Sequence, residues 1–262
     1  MMQYIHYSIS ETKSQYLPLL TLLTILPDNA IISTQWWDSS LGGEDMFFLY
    51  ILLLGVNFFI SWSNASCVGR YWSESKEVGG SFRRYIVCGY IMAVAGFTMV
   101  YGCILLLIAP YIMQATGKFD AEVIADFESL AGDILYLLVA VPIVLSGIRI
   151  WLASLKAAFE KKTFSYIATA GWNSYAQIHN TISLARNAPS AFGRIVEAFS
   201  GGKKSRRSSK KGSEYIILLA VLVVILAIVG GYLTADAIMR KADQEYDGFE
   251  VAYRNRNVKR IY

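Results

Sequence analysis

The sequence predicts an all-α integral membrane protein with four transmembrane helices and cytoplasmic amphipathic helices between the third and fourth spans. Three observations carry that prediction. Residues 85–113 contain no Asp, Glu, Lys, Arg or His. A helix of that length is about 43 Å long, against a hydrocarbon core of roughly 30 Å. The 262-residue chain is 55% hydrophobic and only 17% charged, whereas a soluble domain carries about a quarter charged residues. The missing charge is concentrated in four segments, which is the pattern of a membrane protein and not of a uniformly apolar globule.

In chain order, residues 1–45 form an N-terminal interfacial segment. Its apolar core, residues 16–27, is too short to span and is bracketed by Pro18 and Pro27. It reads as interfacial or re-entrant, with an extra full span as the alternative. Trp36 and Trp37 suit the headgroup zone. The first sixteen residues lack the cationic region of a secretory signal peptide, so the first span is expected to act as an uncleaved signal-anchor.

Residues 46–155 are expected to hold three spanning helices. The first, 46–62, contains Asn57, an amide that wants a partner helix or a wetted interface. A short loop over 63–84 brings Arg70, Lys76, Arg83 and Arg84. The sequon Asn64-Ala65-Ser66 falls in that loop, on the cytoplasmic side, and is given no weight. The second span is 85–113. Gly89, Ala93 and Gly96 share one of its faces and let backbones approach closely.

An acidic loop over 114–133 follows, with Asp120, Glu122, Asp126, Glu128 and Asp133. Its spacing does not match a calcium loop, so it reads as a solvated face. The third span, 134–152, contains Pro142, Ser146, Gly147 and Arg149. Arg149 is the basic residue inside a candidate span. Snorkelling to phosphates is its first reading, and a pore or partner contact the second.

Residues 156–200 are expected to form cytoplasmic amphipathic helices. Phe164, Ile167, Tyr175, Ile178, Ile182 and Ala185 recur at helical spacing, and Pro189 is expected to interrupt before Phe192, Ile195, Val196 and Phe199. His179 lies on the flank of this helix and is not assigned a catalytic role. The basic linker, 201–214, carries Lys203, Lys204, Arg206, Arg207, Lys210 and Lys211. Such a cluster beside a span is drawn to anionic lipid headgroups by about 1 kcal/mol per charge. Nucleic acid is the weaker candidate, because no folded reader accompanies the run. The fourth span is 215–235, where Ala227 and Gly231 offer another small-residue contact. The polar tail, 236–262, is expected to dock on something or to stay disordered.

Basic residues accumulate on the cytoplasmic side of a membrane. That rule places 63–84 and 153–214 inside and both termini outside an inner (plasma) membrane. The bases of the tail argue against their side of this assignment.

No phosphate-binding loop, zinc motif, nucleophile elbow or paired cysteine motif is present. Cys67, Cys88 and Cys103 read as free thiols. The spans hold no carboxylate pair, so the expectation is a protein without enzymatic activity, metal or cofactor. Two function classes remain. One is an interaction protein, a subunit or regulator of a larger assembly such as a secretion, conjugation or exclusion system, with membrane proteins or its own copies as partners. The other is an oligomeric pore or membrane-disrupting effector, as in phage defence, with Asn57, Ser146 and Arg149 lining the path.

Overall fold

The computed structural model describes residues 43–200 and 210–258, and every element among them is a helix. In chain order these are α1 (Gly43–Arg70), α2 (Trp72–Val78), α3 (Gly80–Ala115), α4 (Ala121–Lys161), α5 (Phe164–Phe199) and α6 (Lys210–Val258). Four stretches are long and apolar enough to cross a membrane: Tyr50–Arg70, Gly80–Ala115, Ala121–Lys161 and Tyr215–Tyr246. The described chain is thus all-helical, with the four long apolar helices of a multi-pass membrane protein. The interfacial segment expected over residues 16–27, and Lys203, Lys204, Arg206 and Arg207, lie outside the described residues.

The core is layered along α3. In the middle, Met92, Met99 and Cys103 of α3 meet Leu135, Val139 and Ile143 of α4, Ile60 of α1 and Ala227 of α6. At one end Met113 of α3 packs with Phe127, Leu130 and Ala131 of α4 and with Ile216, Ala220 and Val223 of α6. At the other end Ala93 and Phe97 of α3 meet Ala65 of α1 and Ala235 and Ile238 of α6. Beyond these, Val68, Tyr71 and Ile86 close over Met239. These layers fix the directions. The 116–120 turn and the start of α6 share the first end. The α1–α3 connection and the end of α6 share the second.

Several boundaries differ from the sequence expectation. The segment 63–84 is mostly helical, because α1 continues to Arg70 and α2 follows. The chain turns into α3 through Gly79 and Gly80, both at positive φ (63° and 58°), where a side chain would be strained. The acidic segment 114–133 is also largely helix, since α4 begins at Ala121. Asp133 is fully buried instead of solvated. The polar tail remains helical to Val258. Its charges pair along the helix, Arg240 with Asp236 at 2.8 Å and Lys241 with Glu245 at 3.8 Å, and Asp243 accepts a bond from Ser73 at 3.1 Å.

The largest difference concerns α5. Pro189 lies inside it without ending it, and one helix replaces the two expected. Nor does α5 lie beneath the bundle. It turns back at Lys162, which takes the left-handed conformation (φ 51°), and runs antiparallel along α4. Trp151 meets Ser174 near one end of the pair, and Asp133 meets Arg194 near the other. Those two points are separated by eighteen residues of α4, or about 27 Å along the axis, close to the thickness of the hydrocarbon core. The packing puts the start of α5 at the end of the bundle that holds 63–84 and its last turn at the other end. Ile195 and Ala198 at the end of α5 pack with the Phe127 layer at the first end.

Candidate functional site: a polar seam between the third span and its companion helix

A row of polar contacts runs between α4 and α5. Asp133 is fully buried, and Arg194 grips it with two parallel bonds, Nε and Nη2 each at 2.6 Å from a carboxylate oxygen. This is the fork geometry that suits guanidinium to carboxylate.

One turn along, Tyr136 Oη donates to the Ser183 carbonyl at 3.2 Å. Gln177 reaches across to α4, where its Nε2 donates to the Val144 carbonyl at 3.1 Å. Gly147 makes that reach possible. A Cβ built there would collide with the Gln177 side-chain oxygen. At the far end Trp151 Nε1 donates to Ser174 Oγ at 2.7 Å, and Ser174 Oγ donates in turn to Ala170 O at 2.7 Å. Gly147 thus belongs to the helix face that receives α5, and Pro142 lies inside α4 without ending it, as neighbouring helices permit in a membrane.

Of the three polar residues singled out in the spans, Ser146 and Arg149 both lie near Cys88 of α3. Asn57 is buried and turns onto its own helix, Nδ2 donating to Leu53 O at 3.0 Å, while Ser61 Oγ donates to Asn57 O at 2.8 Å. Ser146 is buried and faces Cys88 of α3. Arg149 is exposed on the outside of α4. Lys210 and Lys211 open α6.

The small residues lie in the helix contacts. Gly89, Ala93 and Gly96 are all buried, and Ala93 packs against Ala65 and Ala235. Ala227 is fully buried. Gly231 is where α6 crosses α3 most closely, since a Cβ there would stand 2.6 Å from the Thr98 backbone nitrogen. A second close crossing, at Gly69, would set a Cβ against the Met239 carbonyl. Gly69 escaped the sequence reading because it lies in the segment expected to be loop.

Asp133 and Arg194 escaped it too. They are 61 residues apart, and one was assigned to an acidic loop. The available signal was the run of Asn173, Gln177, Asn180, Asn187 and Arg194 along one face of α5. Asn64 is buried with neither amide atom partnered among the described residues. Among those residues there is also no group of three or more His, Cys, Asp or Glu able to hold a metal. Compared with known proteins, the chain matches no family model, no curated protein and no solved structure.

Proposed function

We propose that this chain is a multi-pass interaction protein of the inner (plasma) membrane, a subunit or regulator of a larger membrane assembly of the secretion, conjugation or exclusion kind. The observation that carries the proposal is Arg186. It is exposed on α5, two turns before Arg194, and has no ion-pair partner among the described residues. Its helix runs beside the third span. Ionisable residues at that depth pair with one another, with backbone or with a polar cavity. A membrane protein offering a carboxylate to this flank supplies such a partner.

The end of the molecule that holds Arg70, Lys76, Arg83 and Arg84 is read as cytoplasmic. Lys156, Lys161 and Lys162 belong to the same end, as do Arg240 and Lys241, and the distribution of bases supports that side. This departs from the sequence expectation for the tail: Arg240 and Lys241 share the end of Arg70, whereas Lys210 and Lys211 open α6 at the opposite end.

A pore formed by Asn57, Ser146 and Arg149 has less support, because Asn57 and Ser146 are buried within the bundle and Asn57 bonds its own helix. Purification from native membranes in mild detergent tests the proposal. The chain is expected to co-purify with another membrane protein, and Arg186→Leu to reduce that recovery. Recovery of the wild-type chain alone, with membrane potential collapsing on overexpression, would favour the pore.

A further inference from the structure

The outward face of α5 is apolar along its whole length. Tyr175, Ile178, Ile182, Phe192, Val196 and Phe199 are each roughly half exposed or more, Ile182 at 61%. They recur at alternating three- and four-residue steps, with Ala185 and Pro189 filling the remaining positions. The inward face is the polar one. Thr169, Asn173 and Gln177 are buried against the bundle, and Arg194 reaches in to Asp133. A helix lying on a water-soluble core has the reverse arrangement, with apolar residues in and polar residues out.

Polar groups turned inward and apolar groups outward is what hydrocarbon selects, since interhelical hydrogen bonds hold membrane helices together while apolar side chains face lipid. The neighbouring surface of α4 continues the same belt, for Leu138, Val141, Leu145, Ile148 and Leu152 are also exposed. The seam between Trp151–Ser174 and Asp133–Arg194 keeps α5 level with α4 over about 27 Å.

We infer that α5 is a fifth membrane-crossing helix, and that its apolar stripe is covered by the acyl chains of the bilayer. Average hydropathy misses it, because its inward side carries Thr169, Asn173, Gln177 and Arg194. Arg186 stands at the border of the stripe, on the flank assigned to a partner above. The inference does not depend on that assignment. The consequence is topological. Residues 161 and 200, at the two ends of α5, lie on opposite sides of the membrane, and the end of α5 and the start of α6 share the end of the 116–120 turn.

The test uses the full chain in its membrane, with the three native cysteines replaced by alanine. Nitroxide labels on Ile178→Cys and Ile182→Cys are compared with one on Leu145→Cys for collision with molecular oxygen and with a water-soluble nickel chelate. Oxygen is expected to exceed nickel several-fold at all three positions. Access to nickel at 178 and 182 would overturn the inference by putting the stripe in water. Protection from both relaxants would overturn it by covering the stripe with a second copy or another protein. In parallel, a membrane-impermeant maleimide is applied to Lys161→Cys and Ser200→Cys in intact cells and in inverted vesicles. Opposite sidedness is expected, and labelling of both from one side would overturn the crossing whatever the fate of the labels.

Discussion

At the scale of single residues, the Asp133–Arg194 pair carries the sharpest consequence. Asp133 is fully buried, so removing its partner leaves a charge with no compensation. Breaking such a pair costs about 3 kcal/mol or more, whereas replacing both members by apolar residues is often neutral. Arg194→Leu is expected to lower the melting temperature in detergent strongly, and Asp133→Leu combined with Arg194→Leu to recover most of the loss. A double variant as unstable as the single one would show that the charges themselves are required. Asn64 makes the converse case. Both its amide atoms are buried without partners among the described residues, a state that costs about 1–3 kcal/mol. Asn64→Leu, close to it in shape, is expected to hold or raise the melting temperature. A clear drop would mean that the amide serves a partner the isolated chain lacks.

At the scale of elements, the glycines divide sharply. Gly231 lets α6 cross α3 with a prospective Cβ 2.6 Å from a backbone nitrogen, and backbone cannot swing aside as a side chain can. Gly231→Val is expected to cost about 3 kcal/mol and to loosen the α3–α6 contact, read from thermal melts. Gly55 has nothing within 4 Å of its prospective Cβ. Gly55→Ala is expected to be neutral or to stabilise α1 by up to about 1 kcal/mol. These elements also show how far the sequence is legible. The four apolar runs were readable because hydrocarbon imposes length and composition on a span directly. The Gly231 contact was readable because small residues at helical spacing have few other uses in lipid. The course of α5 was not. Its apolar stripe fits a surface helix equally well until Gln177, Ser183 and Arg194 are seen to have partners on α4. Those partners are tertiary, and no local period encodes them. Pro189 misled for a related reason, since one lost backbone bond does not end a helix held along α4 on both sides of the proline.

At the scale of the whole molecule, the account is an alternating bundle in which α1, α4 and α6 run one way and α3 and α5 the other. Its least conventional part is the return of α5 along the third span. Distances between spin labels decide that most directly. Label pairs at Phe192 with Ser129, and at Phe192 with Leu152, can be placed in the full chain in lipid, on exposed positions of α5 and α4. With Arg194 beside Asp133, Phe192 lies about 9 Å along the axis from Ser129 and about 26 Å from Leu152. The account predicts a short distance for the first pair and a long one for the second. A long distance to Ser129 together with a distance to Leu152 no longer than it would place α5 beneath the bundle and contradict the account.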